Sequence, residues 1–399
     1  MKKVLFLATY PTQSNGYARI GNILSNHLAK TCEVYYFGFS NYPGTFVPRY
    51  IDPSIKLIDV IQEEELRSND EGFGVGIITE FMNSIKPDIV LIYNDIIVTC
   101  RHLNKLNQLE KYFKVINYLD LVYDFENPVY MNHVNRSCDK ILAFSEHWKN
   151  NMITMGVPES KISILNHGLD NRLFFKIDKK EARKALGLRE DNFYILNTNR
   201  NSYRKANDIT ISAFLLLLKK VNFDKRFKLL LHCDLDNNSG YNLRNIIKTE
   251  CMKYGIDSEY VSNNLIETMG VYRITDEKMN LMYNACDVGI NTCIGEGFGL
   301  CNLEHAGLGK PQVVSNVGGL KDIFKDFPEM TINPVAEYNI SSHTDGHNGL
   351  AYLCRAVDFA DRLYDIYTNY EKYKEIAEKC AEHIQERFNW DTILSGFKI

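Results

Sequence analysis

Strand-length apolar runs alternate with helix-patterned stretches along most of the chain, and the alternation starts afresh near its middle. In the first half, residues 3–9, 34–39, 88–93, 115–119 and 140–144 read as strands. Helical patterns fall at 16–29, 76–84 and 146–155, and 162–165 adds a short strand. In the second half, strands fit 194–198, 228–233, 288–291 and 312–315. Helices fit 208–220, 243–254, 277–284 and 300–308, a short one begins at 321–324, and the tail from 357 to 385 is helical in pattern. Strands separated by helices pair in parallel, with the helices covering the sheet. A chain of 399 residues exceeds what one hydrophobic core usually supports. The expected fold class is therefore α/β with two parallel-sheet domains, 1–170 and 171–386, the boundary lying near 171–177.

Charge and cysteine usage narrow the function classes. A formal net charge of −4 argues against nucleic acid as the main partner. The 10 cysteines form no CxxC pairs and no metal-finger spacing, which points to reduced thiols and a cytoplasmic setting. Met1-Lys2-Lys3 and the apolar run behind it briefly mimic a secretory signal, but the run is short and Tyr10-Pro11 follows it. No later apolar run approaches bilayer length, so the expectation is a protein without a transmembrane segment, peripheral membrane contact being left open.

The densest chemical signal is Gly295-Glu296-Gly297-Phe298-Gly299-Leu300-Cys301-Asn302-Leu303-Glu304. It follows a strand and opens a helix. Glycines on both sides of Phe298 let the backbone bend tightly and expose successive N–H groups at a helix start, a site suited to anions. Glu304, one turn into the helix, would lean back over that site. Carboxylates repel a phosphate but accept hydrogen bonds from hydroxyls, so the pattern suggests a sugar carried on a nucleotide. Asn199-Arg200-Asn201-Ser202-Tyr203-Arg204-Lys205 directly follows another strand, placing Arg200 and Lys205 at the carboxyl end of a sheet, where open α/β folds bind ligands. Arg204 competes with Lys205 for that role. At the N-terminus, Gly16 opens the first helix, whose amides could face a diphosphate.

The Glu296–Glu304 block resembles the signature of the retaining glycosyltransferases of the GT-B fold, the large family 4 that includes sucrose synthase. The resemblance extends to Asp276–Val288 upstream, to Gly309-Lys310-Pro311 and Val317-Gly318-Gly319 downstream, to Asn166-His167-Gly168-Leu169-Asp170 and to Glu386–Asp391. It implies two Rossmann-like domains facing across a cleft, with the C-terminal helix, residues 387–399, returning to the first domain. It further implies transfer of a sugar from a UDP- or GDP-linked donor to a glycan, glycoprotein or other hydroxyl acceptor, with no tightly bound cofactor and no required metal. Arg200 and Lys205 would hold the diphosphate and Glu296 the sugar hydroxyls. Glu304 would bind the ribose, while Gly297, Phe298, Gly299 and Leu300 offer backbone amides. Gly16 matches the family's glycine pair only in part, since Asn15 replaces one member. Relatives carry a His in the segment matching 115–120, which has none here. Asp120 therefore stays open between contacting acceptor or sugar and capping a loop. The rival readings are a sugar- or nucleotide-binding protein of the same fold without catalysis, and a nucleotide-sugar epimerase.

Other patterns are weaker. Gly72-Phe73-Gly74-Val75-Gly76 follows no strand and reads as a loop, and Asp234-Leu235-Asp236 reads as turn chemistry. Residues 333–348 form a long polar stretch, expected as disorder or a surface excursion. Its His343 and His347 are a minor metal candidate. The resemblance to the GT-B fold also implies base recognition through backbone around segments such as 271–273.

Overall fold

The computed structural model describes residues 1–399 except 45, 67–71, 237–239, 270–273 and 342–345. The chain forms two compact units. One comprises Met1–His167, Ile340–Gly349 and Ile399, the other Gly168–Asn339 and Leu350–Lys398. Residues 387–398, expected on the first domain, thus group with the second unit.

In the first unit, β1 (Lys2–Thr9), β2 (Cys32–Phe39), β3 (Lys56–Asp59), β4 (Ile89–Asp95), β5 (Lys114–Asp120), β6 (Lys140–Ala143) and β7 (Ile162–Ile164) form one parallel sheet in the order 3-2-1-4-5-6-7. β1 and β4 are nearly continuous runs of buried residues, as a strand covered on both faces requires. The helix Gly16–Ala29 starts where Asn15 accepts a hydrogen bond from the Ala18 amide at 2.9 Å, an N-cap that explains why Asn stands before Gly16. Its buried face, Ala18, Ile20, Leu24 and Leu28, repeats at helical spacing and packs along β1 and β2.

The second unit repeats the plan. β8 (Phe193–Asn197), β9 (Phe227–Leu231), β10 (Ile266–Thr268), β11 (Val288–Asn291), β12 (Gln312–Ser315) and β13 (Thr331–Ile332) are parallel in the order 10-9-8-11-12-13. Phe214, Leu217 and Leu218 of the helix Asn207–Lys220 pack with Leu229, Leu231 and Ile290 in its core. Both sheets therefore reverse direction once, between β1 and β4 and between β8 and β11. Asp287, ahead of β11, ties the sheet to the helix Lys179–Leu186. It accepts from Arg183 Nη2 at 2.6 Å, Lys179 Nζ at 2.9 Å and the Tyr194 amide at 2.8 Å.

The departures from expectation are local. β3, β10 and β13 were not anticipated, being edge strands of two to four residues with little apolar run to read. The helical tail is two helices, Ala356–Thr368 and Tyr370–Arg387, broken at Asn369. The stretch 333–348 begins as a surface excursion, one of the two expected readings, in an exposed strand and not a disordered loop. β14 (Ala336–Asn339) pairs antiparallel with β15 (Leu350–Leu353). β14 is exposed along its length, which is why its sequence carries no apolar alternation. His343 and residues 271–273 lie outside the described residues. No helix among the described residues is long and apolar enough to cross a membrane, and all ten cysteines are free thiols.

The Arg183–Asp287 pair is almost wholly buried. Asp287→Ala should cost about 3–5 kcal/mol, because it strands a buried guanidinium. A shift of that size in urea unfolding checks it.

Candidate functional site

The carboxyl ends of β8 and β11 are neighbours at the point where the second sheet reverses its order. That is where open α/β sheets leave a crevice for ligands. Two segments fill this place, 198–206 after β8 and 292–299 after β11.

A buried polar network joins them. Asn199 Nδ2 donates to Asn291 Oδ1 at 2.8 Å. Asn291 Nδ2 donates to Asn302 Oδ1 at 2.7 Å, and Asn302 Nδ2 to Gln312 Oε1 at 3.1 Å. Thr292 Oγ1 lies 2.7 Å from Thr210 Oγ1 and 2.8 Å from the Ala206 carbonyl. The Ile294 amide bonds the Arg204 carbonyl at 3.0 Å. Asparagine suits this position because its amide both donates and accepts, so one side chain can bridge two strand ends out of water.

Within the network, Lys205 Nζ donates to Glu296 Oε2, and Arg204 Nη1 lies 3.7 Å from Glu296 Oε1 while bonding the Gly295 carbonyl at 2.8 Å. Burial would raise the Glu296 carboxyl, but the Lys205 and Arg204 cations and the Lys205 hydrogen bond outweigh it and hold it down to about 2. Arg200 is exposed on the same segment. Of the expected donor residues, Lys205 and Glu296 are thus in direct contact, and the competing Arg204 joins them.

The glycine turns have a steric cause. Gly299 adopts φ +95°, and a Cβ there would lie 2.3 Å from Leu320 Cδ2. A Cβ on Gly319 would sit 2.5 Å from the Gly297 carbonyl oxygen and 2.6 Å from Phe298 Cα. The Gly319 amide instead bonds the Glu296 carbonyl at 3.1 Å. Phe298 is buried with its ring 6.0 Å from that of Phe388, so its side chain packs and only its backbone can serve a ligand. Leu300 is half-buried and opens the helix Leu300–Ala306. Glu304 is buried and accepts from the Tyr283 hydroxyl at 2.9 Å. Asp236, of the Asp234-Leu235-Asp236 run, bonds Arg244 at 2.6 Å.

In the first unit, Gly16 is exposed at its helix start. Tyr17 beside it donates to Asp120 Oδ2 at the end of β5. Burial, then the Asp120 and Asp95 carboxylates, push the Tyr17 hydroxyl far above its usual range. Tyr17 carried no signal in the sequence, since its partner lies 103 residues away. Asn199 stood in the segment read for Arg200 and Lys205, but its bridge to Asn291 and on to Asn302 was not legible.

Solved structures share this architecture across essentially the whole chain. Sucrose-phosphate synthase from Thermosynechococcus elongatus aligns with a TM-score of 0.74 at 17% identity, over 99% of this chain and 97% of that one. Anabaena Alr3699/HepE in complex with UDP-glucose aligns at 0.65 and 16%, over 99% and 98%. The two parallel Rossmann-like sheets make this a protein of the GT-B fold. Residues 178–382, just over half of the chain, match Glycosyl transferases group 1, and the chain belongs to that family. Among curated relatives, the D-inositol 3-phosphate glycosyltransferase of Kribbella flavida is 25% identical over 260 residues, 65% of this chain and 55% of that protein. The N-acetyl-alpha-D-glucosaminyl L-malate synthase of Bacillus anthracis is 21% identical over 264 residues, 65% of this chain and 58% of that protein. The chain spans about half the length of the curated relatives it matches.

Two outcomes test this geometry. Gly319→Ala should lose about 1–3 kcal/mol, as overpacking against backbone does, read as a lower melting temperature. The Glu296 carboxyl has a lower pKa folded than unfolded, so its stabilisation is full above the unfolded value of about 4.3 and is lost as pH falls towards about 2. The urea-stability gap between wild type and Glu296→Gln should be constant above that window and close within it.

Proposed function

We propose that the chain is a retaining glycosyltransferase that takes a sugar from a UDP- or GDP-linked donor and passes it to a hydroxyl acceptor. The observation that carries this reading is the convergence of Lys205, Arg204 and Glu296 at the reversal point of the second sheet. Cations and a carboxylate held together there suit a ligand that is a diphosphate at one end and a polyol at the other. Membership of Glycosyl transferases group 1 supports the same chemistry, as does the UDP-glucose bound by the Anabaena neighbour.

Lys205 and Arg200 stabilise the charge that builds on the diphosphate as the bond from the sugar's anomeric carbon to phosphate oxygen breaks. Glu296 orients the sugar through its hydroxyls, and its low pKa keeps it an acceptor of hydrogen bonds across the physiological range. Glu304 receives the ribose hydroxyls. The acceptor oxygen attacks the face that the diphosphate leaves, forming the new bond to the same carbon with retention, and its proton passes to the departing phosphate. Asp120, held by Tyr17, orients the acceptor hydroxyl or contacts the donor sugar.

Calorimetric titration of UDP, GDP and ADP into wild type, Lys205→Ala and Glu304→Ala tests the reading. One diphosphate should bind wild type and bind both variants more weakly, and transfer should fall by about 10²–10³ in kcat without Lys205. Equal binding to wild type and Lys205→Ala would sink the site assignment.

A further inference from the structure

Three acidic residues of one short segment, 120–126, are each held by a side chain from a different element. Asp120 takes the Tyr17 hydroxyl of the helix Gly16–Ala29. Asp124 Oδ1 lies 2.6 Å from Nε2 of His147, on the helix Glu146–Thr154. Glu126, fully buried, has Oε2 3.0 Å from Nδ1 of His347. Its other oxygen accepts the Val122 and Tyr123 amides at 2.5 and 3.0 Å. The His347 ring also lies 6.4 Å from that of Tyr123. Gly349 approaches so closely that a Cβ there would lie 2.9 Å from the Asp124 carbonyl oxygen and 2.9 Å from Tyr123 Cβ.

A plain connection between a strand and a helix has no need of bracing from three sides. What the bracing holds out is Phe125. It has φ +57°, a left-handed conformation that an aromatic residue adopts only when its surroundings impose it. The residue is nevertheless 44% exposed while Tyr123 and Asp124 are buried. The segment follows the carboxyl end of β5, on the ligand-binding edge of a parallel sheet. An exposed aromatic face suits a sugar ring, whose apolar face packs on it, and Asp120, half-buried at the end of β5, is the one carboxylate of the three that is not fully enclosed. A phosphorylated ring would bring its charge towards Asp120 and Asp124.

We infer that the segment 121–127 is a platform for an unphosphorylated sugar acceptor, with Phe125 as the stacking residue and His347 as a positioning residue that fixes the platform through Glu126. The inference rests on the transferase reading and names its acceptor class. His347 explains why the stretch 333–348 is long: its far end returns to brace a segment more than 200 positions earlier in the chain.

Saturation-transfer NMR with the methyl glycosides of glucose, galactose and mannose, and with glucose 6-phosphate, tests it on the full chain. UDP and GDP titration of every variant runs alongside. At least one methyl glycoside should contact wild type more strongly than glucose 6-phosphate does. Its affinity should fall about tenfold in Phe125→Ala, the scale of one lost stacking contact, and return in Phe125→Trp. His347→Leu should weaken the glycoside and His347→Gln, which can still donate to Glu126, should restore it, with nucleotide affinity unchanged in all four. Glycoside binding unaltered in Phe125→Ala, or stronger for glucose 6-phosphate, overturns the platform while intact nucleotide binding leaves the transferase reading standing. Loss of glycoside binding in both His347 variants alike overturns the positioning role. No nucleotide binding by wild type overturns the transferase reading and the acceptor class with it.

Discussion

Lys205 and Glu296 sit on segments that follow two neighbouring strands, and their buried ion pair holds the ends of those segments together. Two charges removed from water are costly unless each is paired and the remaining polar atoms are satisfied. Here the Asn199–Asn291–Asn302–Gln312 chain and the Thr210–Thr292 contact surround the pair with hydrogen bonds. Such a network specifies one arrangement strongly, because a shift of any member leaves a buried group unpaired. The glycine crossing at Gly297–Gly299 and Gly319 follows from it, since the segment after β12 must close onto the backbone of the segment after β11.

The two units use one topology for opposite electrostatics. Each sheet reverses once and presents its carboxyl edge there. The edge of the second unit carries Arg204 and Lys205 around one carboxylate, with Arg200 exposed on the same segment. The edge of the first unit carries Asp95, Asp120, Asp124 and Glu126, with the last three held by Tyr17, His147 and His347. A fold that fixes where ligands lie does not fix what they are.

Much of this was legible in the chain. β1, β2, β4, β5, β8, β9 and β11 announce themselves because buried central strands are continuous apolar runs. The edge strands β3, β10 and β13 are too short to carry that pattern. β14 hid for the opposite reason, being wholly exposed and hence polar. At the site, Glu296, Arg200 and Lys205 stood out through position after a strand. Tyr17 and His147 did not, and His347 drew notice only as a minor metal candidate, because each takes its meaning from an acid 23 to 221 positions away.

The sequence by itself determined the alternation of strand and helix, the doubling of that plan, and the strand-end segments where charge and glycine concentrate. These depend on local periodicity and on backbone freedom, which neighbouring residues encode. Only the tertiary structure decided which charges meet. It paired Lys205 rather than Arg204 most closely with Glu296, turned Phe298 into the core, and brought His347 to Glu126. Such choices depend on distances between residues remote in the chain, and the strand order sets those distances.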